Sequence, residues 1–203
     1  MNQKIHYNII ILAAGASTRL GKPKQLLEHN GHNLIQHAID EALDTEAQKV
    51  IGVLGAGADN IIKNINRKQA HILYNEKWEE GMASSVRSAI EYTQESNHSI
   101  DAAILMVCDQ PYVTSALLMN LVREHVETGK SIVASQYKDT LGTPVFFHKT
   151  YFGDLLKLKG DTGAKKIIMD NREEVRQIIF PLGDIDIDSM ADYKMLLQKN
   201  GGV

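Results

Sequence analysis

The sequence predicts an α/β fold: a doubly wound, mostly parallel sheet with helices on both faces. Three observations carry this. Short apolar runs of strand length alternate with longer stretches of helical spacing, the pattern of repeated βαβ units. The best runs are continuously apolar, as strands buried on both faces require. Residues able to meet a ligand follow two of these runs directly, at Gly15 and at Cys108-Asp109-Gln110-Pro111, where open α/β sheets place their binding crevices.

Taken in order, residues 8–13 (NIIILA) have the length and isoleucine content of a buried parallel strand. Residues 33–43 carry apolar side chains at 34, 35, 38, 39, 42 and 43, which is helical spacing. A second strand is expected over 49–54, a helix over 58–65 and a short strand over 71–74. Met82, Val86, Ala89 and Ile90 then mark one face of an amphipathic helix. Residues 101–107 form another apolar strand, 115–126 a helix, and 131–135 and 144–147 two further strands. Helices over 151–158 and 162–169, a strand over 175–180 and a helix over 190–198 complete the series. Residues 1–115 alternate cleanly, whereas 130–188 hold shorter pieces; no linker or internal repeat interrupts them, and only the tail 200–203 reads as frayed. One domain over 1–203 is the expectation, in keeping with the 203-residue length.

Composition excludes several classes. The chain is 43% hydrophobic and 23% charged, with 15 Gly and 4 Pro, which is ordinary globular usage. A single Cys forms no intramolecular disulfide and fits a reducing, cytoplasmic setting. Net charge is 22 − 25 = −3, which argues against nucleic-acid binding by bulk charge. No apolar run approaches the roughly 20 residues of a membrane span, and the N-terminus has its apolar run too late and too short for a secretory signal.

The loop after the first strand is built from small residues, so its backbone can approach a ligand closely. Residues 13–27 hold Arg19, Lys22 and Lys24 and no acid, a local +3 in a chain of net −3. Backbone N–H groups with Arg19 and Lys24 suit a polyphosphate. The loop is not a Walker A, since Ala16 and Pro23 stand where Gly and Ser or Thr are needed; Gly55-Ala56-Gly57 fails as a dinucleotide motif because position 60 is Asn.

The segment 75–86 (NEKWEEGMASSV) runs from a strand end into a helix, with Gly81 freeing the backbone and Ser84 and Ser85 in the first turn. Spacing alone favours helix capping there, with Trp78 in the core, over contact with a base or phosphate. Asp109, at a strand's carboxyl end, is a natural Mg²⁺ ligand, and no Lys or Arg lies between residues 88 and 122 to neutralise it. Cys108 reads as a small buried apolar residue rather than a nucleophile. Asp184, Asp186 and Asp188 alternate strictly, so on a strand they would share one face; an acidic edge strand is the commoner reading of such a run. The eight histidines show no metal spacing.

Together these pieces resemble a known family. LAAGASTRLGKPKQLL is similar to the nucleotidyltransferase signature LAAGxSxRxGxxKxLL, and WEEGMASSVRSAI, VCDQPYV, GTPVFF, LKGDTGAKKII and DIDIDSMADY are similar, in order, to its later motifs. The resemblance runs from about residue 8 to 195 and is nearest to the MobA-like group of molybdenum cofactor cytidylyl- and guanylyltransferases. It implies a three-layer Rossmann-like nucleotide-diphospho-sugar transferase fold with one antiparallel strand. It also implies an enzyme that joins a nucleoside triphosphate to a phosphorylated acceptor and releases pyrophosphate, with Mg²⁺ as cofactor.

Carried onto this chain, Leu12, Ala13, Ala14, Gly15, Gly81 and Ser85 would contact the nucleotide. Arg19 and Lys24 would hold the triphosphate and, with Asp109, act in catalysis. Asp109 and Asp188 would bind the metal, with Asp186 as the alternative second ligand because 188–192 reads DSMAD where related enzymes have DTPED. Gly142, Thr143, Pro144, Gly160 and Asp161 would bind the acceptor, so that a nucleotide half ends near residue 115 and an acceptor half follows. The LAAG opening, rather than LAGG, leans towards CTP over GTP. Thr143 stands where the cytidylyl group has His and the guanylyl group Asn. The implied acceptor is molybdopterin, and the implied partner a molybdoenzyme, with no nucleic acid or membrane involved. The rival enzyme readings are GTP use or another phosphorylated acceptor; the rival of another class is a non-catalytic nucleotide-binding cofactor chaperone.

Overall fold

The computed structural model describes residues 4–67, 69–96 and 99–200, and of Lys199 and Asn200 only the backbone; the expected fraying of the tail lies largely outside this range. Strands β1 (Tyr7–Ala13), β4 (Lys49–Leu54), β5 (His71–Tyr74), β6 (Ala102–Val107), β7 (Ile132–Tyr137), β8 (Thr140–His148) and β9 (Val175–Ile179) form one sheet in the order β5-β4-β1-β6-β8-β7-β9. β2 (Glu28–His29) and β3 (His32–Asn33) form a separate hairpin. Every neighbouring pair in the large sheet is parallel except those of β8, which runs antiparallel to both β6 and β7. The sheet is thus mostly parallel with one reversed strand, as expected.

β1 explains the layering. It is buried along its whole length, and successive side chains go to opposite faces. Ile9, Ile11 and Ala13 pack with α1 (Leu34–Leu43) and α4 (Ser115–Thr128) through Ile35, Ile39, Leu118 and Leu121. Ile10 and Leu12 pack with α3 (Met82–Ser96), α5 (Phe152–Leu155) and α6 (Lys165–Asp170) through Val86, Ile90, Phe152 and Ile168. Each such aliphatic side chain contributes roughly 1.5–3 kcal/mol on full burial. α2 (Ala58–Lys63) joins the first face, and Ile61 is fully buried there.

The helix ends are chemically marked. Asn33 Oδ1 accepts from the Gln36 N–H at 2.9 Å to cap α1. Thr114 caps α4, which Gly129 ends at φ 68°.

Four local expectations are revised. The helix expected over 151–158 is a 3-10 turn, Lys149–Tyr151, followed by the single turn of α5. The one expected over 162–169 starts only at Lys165, because the preceding 160–164 turn packs against the start of α3: Gly160 O accepts from Ala83 N at 3.0 Å. The β2–β3 hairpin was not expected, although Asn30-Gly31, with φ 50° and 83°, is a strong tight-turn signal. The alternating run 184–188 is neither helix nor strand. It leaves the sheet after Pro181 and runs over the loop beyond β6, where Ile187 N donates to Asp109 O at 3.1 Å.

A third, smaller apolar cluster fixes that run. Ile187 packs with Leu20, Leu27, Leu34 and with Tyr193 and Leu196 of α7 (Met190–Asn200), and Tyr193 donates to Glu28 O at 3.0 Å. The C-terminal segment is therefore held over the loop that follows β1. Among the described residues no helix is long and apolar enough to cross a membrane.

Candidate functional site

β1 lies between β4 and β6, so the chain winds outward from it in both directions and the loops after β1 and β6 diverge at its carboxyl end. A cleft of about 380 Å³ opens there, within the range usual for small-molecule sites. Leu12, Ala13, Ala14, Gly15, Lys24, Gly81, Ser85, Asp109 and Asp161 line it, with Trp78 and Gln25. Arg19 lies outside this lining, exposed at the rim. Gly142, Thr143 and Pro144 are not part of the cleft wall either. The residues expected to meet an acceptor are therefore split: Asp161 lines the cleft, Gly160 beside it does not, and Gly142, Thr143 and Pro144 lie within strand β8.

Sequence spacing passed over Gln25, which organises the first loop. Its side chain is buried, and Nε2 donates to Ala13 O at 2.8 Å and Gly15 O at 3.0 Å. Ser17, at φ 54°, accepts from Lys24 N at 3.0 Å, which ties the loop to the 3-10 turn Lys24–Leu26. Two loop carbonyls are thereby bonded within the protein. Gln25→Glu would set a carboxylate against both of them. It is expected to lower stability by about 2–3 kcal/mol, read from urea unfolding; an unchanged midpoint would mean this amide does not hold the loop.

Charge gathers where the C-terminal run crosses the loop. Lys24 Nζ pairs closely with Asp109 and also with Asp188 Oδ1 at 2.9 Å, while Arg19 Nη2 reaches Asp188 Oδ2 at 3.4 Å. The Lys24 and Asp109 side chains are only 19% and 13% exposed, and Asp188 is 44% exposed. Burial by itself would lower the Lys24 pKa, but the Asp109 carboxylate and hydrogen bonds to Asp109 and Asp188 outweigh it and hold the ammonium firmly charged. The surrounding protein, and then the carboxylates of Asp109 and Asp188, push Asp186 up to about 6. Asp184 instead turns outward to Lys138 at 2.5 Å. The three alternating acids therefore do not share one face, because the run is unpaired coil rather than a strand. Burial, followed by Asp109, pushes the Cys108 thiol up to about 12, which leaves it protonated and packed as a small apolar group.

Asp109 and Asp188 converge on one cation, Lys24. Asp188 also meets Arg19, and the hard oxygens of the two carboxylates suit a divalent ion such as Mg²⁺, which commonly takes one or two carboxylates and completes its shell with water and phosphate. Among the described residues no group of three or more His, Cys, Asp or Glu is arranged for a metal, so any such ion would draw on that pair.

The opposite wall comes from the segment between β5 and α3. Trp78 stands over Gly55, where a Cβ would come within 2.5 Å of the Trp78 Cβ and 2.9 Å of Ala14 O. Trp78 is a half-buried wall of the cleft rather than a core residue. Gly81, at φ 98°, sits against Asp161 and the Gly160 carbonyl, in backbone space open only to glycine. Asn75 is buried beneath this wall and bonded to Ser84 and Ser85.

On the β8 side, Gln110 is buried, accepts from Thr143 Oγ1 at 3.1 Å and donates to Gly183 O at 2.7 Å. The Thr143 hydroxyl proton is thus used internally. Gly142 lies directly against the Tyr137 hydroxyl, and the Thr143-Pro144 peptide is cis.

An open α/β sheet with a cation-bearing small-residue loop at its switch point defines a nucleotide- or phosphate-binding class of protein. Within that class, residues 9–175 match the model of the MobA-like NTP transferase domain, and the chain belongs to that family. It is similar to Rv0371c of Mycobacterium tuberculosis H37Rv, with 30% identity, TM-score 0.84, and coverage of 97% of this chain and 99% of that one. A structure of Rv0371c in complex with manganese aligns at TM-score 0.79, with 27% identity over 95% of this chain and 98% of that one. Among curated proteins it is 32% identical to nicotine blue oxidoreductase of Paenarthrobacter nicotinovorans over 117 residues, which is 57% of this chain and 55% of that protein. It is 25% identical to the bifunctional protein GlmU of Bacillus velezensis over 83% of this chain and 34% of GlmU. The chain therefore spans about half of the first of these curated relatives and a third of the second.

Proposed function

We propose that the protein is a divalent-metal-dependent nucleotidyltransferase that transfers CMP from CTP to the phosphate of a molybdopterin-type acceptor, with release of pyrophosphate, in the cytoplasm. The observation that carries the reading is Lys24 held between Asp109 and Asp188 at the mouth of the switch-point cleft. The manganese complex of Rv0371c supports use of a divalent ion, and the LAAG opening of the loop supports CTP over GTP.

An acceptor phosphate oxygen attacks the α-phosphorus, the bond to the β-phosphate oxygen breaks, and pyrophosphate carries away the electron pair. The nucleophile is already anionic, so the site needs little general-base help. Its work is to bring two anions together and to stabilise charge that develops between them. Lys24 and Arg19 supply fixed positive charge. Leu12, Ala13, Ala14, Gly15, Gly81 and Ser85 line the nucleotide's place, and Asp109 and Asp188 would hold Mg²⁺. When bound, that ion would add Lewis-acid charge on the phosphates. Gly142, Thr143, Pro144, Gly160 and Asp161 are assigned to the acceptor half, and a molybdoenzyme would receive the product.

A second reading rests on the 32% identity to nicotine blue oxidoreductase: a redox enzyme using the same cleft. Pyrophosphate release, nucleotide binding and dye reduction, measured side by side, separate the readings. Pyrophosphate release is expected with CTP and molybdopterin, and more slowly with GTP. Faster release with GTP, or release only with another phosphorylated acceptor, would reassign the substrate. Tight nucleotide binding without release would favour a cofactor chaperone, and bleaching of nicotine blue by an added reductant, without pyrophosphate release, would favour the oxidoreductase.

A further inference from the structure

Under the first turn of α3 lies a buried polar triad whose polarity can be read from its hydrogen bonds. Asn75, Ser84 and Ser85 are 3%, 3% and 4% exposed. Asn75 Oδ1 accepts from the Lys77 N–H at 2.9 Å, and a backbone N–H can only donate, so the orientation of the amide is fixed. Its Nδ2 then faces the serines and donates to Ser84 Oγ at 2.8 Å and to Ser85 Oγ at 3.0 Å. Ser84 returns its own proton to Gly81 O at 2.8 Å and is closed within the protein. Ser85 receives from Asn75 but donates to no described residue, and it lines the cleft. A buried hydroxyl with one lone pair engaged and its proton unplaced presents that proton to whatever fills the cleft, and a ligand that could not accept it would leave it unsatisfied.

We propose that Asn75 is a positioning residue that, by donating to Ser85, directs the Ser85 proton into the cleft, so that this wall favours a nucleobase edge offering an acceptor, a carbonyl oxygen or a ring nitrogen. This rests on the reading of the cleft as a nucleoside triphosphate site. Asn75 touches no ligand; it acts through Ser85. The selection is for polarity rather than size: a base edge offering only an N–H there can meet the second Ser85 lone pair but leaves the Ser85 proton without an acceptor.

The test is a double-mutant cycle on the full chain, with CTP and Mg²⁺ binding measured by calorimetry in the absence of acceptor. Ser85→Ala is expected to weaken binding about 5- to 10-fold, the range of one lost hydrogen bond. Asn75→Asp replaces the donor with an acceptor, so the Ser85 proton turns inward; a similar 5- to 10-fold loss is expected, with circular dichroism unchanged. The deciding outcome is coupling: in the Ser85→Ala background, Asn75→Asp should cost no further affinity. A loss that adds to that of Ser85→Ala would show Asn75 acting through the general fold and would overturn the proposal, as would unchanged binding in both single variants. If Asn75→Asp does not fold, Asn75→Ala removes the donor without adding charge and serves the same cycle. Wild-type protein that binds no nucleoside triphosphate would instead overturn the reading of the cleft itself, and the proposal with it.

Discussion

Lys24→Ala and Asp109→Ala are each expected to lower turnover about 10²–10³-fold, the range found when one preorganised charge contact at a reacting centre is removed. The two substitutions fail for opposite reasons. Lys24→Ala removes the cation that pairs with Asp109 and Asp188 and leaves acidic side chains facing one another, with Asp186 beside them. Asp109→Ala leaves the Lys24 ammonium paired with Asp188 alone and removes the less exposed of the two proposed metal ligands. Stability should change less than rate. Each variant keeps a charged partner at the site: Arg19 still pairs with Asp188 after Lys24→Ala, and Asp188 still pairs with Lys24 after Asp109→Ala. Steady-state pyrophosphate release, with thermal melts alongside, checks this. Near-wild-type turnover in both variants would remove the cluster from the mechanism.

Gly81→Val is expected to destabilise the protein by about 2–4 kcal/mol and to abolish nucleotide binding. Gly81 lies at φ 98°, where a β-branched residue is strained, and a Cβ there would come within 2.6 Å of the Gly160 carbonyl as well as against Asp161. The turn 160–164 would be pushed off the start of α3, the Ala83-to-Gly160 hydrogen bond would break, and the cleft would lose the wall carrying Ser85. By contrast, Gly153→Ala adds a methyl group into open space and should be close to neutral. Urea unfolding of both variants tests the contrast; a Gly81→Val protein as stable as wild type would mean that the turn is not held by this contact.

Much of the fold was legible because burial on both faces leaves a plain mark. Runs such as 8–13 and 101–107 have the composition of central parallel strands and proved to be neighbours, with Leu12 opposite Val107. The second half was less legible. β8 folds back on β7 across the two-residue loop Lys138-Asp139, which makes that pair an antiparallel hairpin, but its pairing with β6 is a tertiary contact that nothing local announces. The helices expected over 151–158 and 162–169 shrink to Phe152–Leu155 and Lys165–Asp170, because the 160–164 turn between them packs against the start of α3. In the site, the cation-bearing loop and Asp109 were readable from position alone. Gln25 and Asn75 were not, since a buried amide that organises its neighbours has no sequence periodicity and shows itself only through its bonds.

The strand and helix order, the positive loop after β1 and the acid after β6 are properties of the chain itself, because hydrophobic periodicity and local charge are written residue by residue. Which acid meets Lys24 is a property of the folded molecule. Asp184, Asp186 and Asp188 are equivalent as an alternating run. They differ once Ile187 is buried among Leu20, Leu27 and Leu34 and its N–H bonds the Asp109 carbonyl. That anchor turns Asp188 onto Lys24, leaves Asp186 crowded beside two other carboxylates, and lets Asp184 swing out to Lys138. The choice is made by contacts between residues more than 150 positions apart, which a local pattern cannot encode.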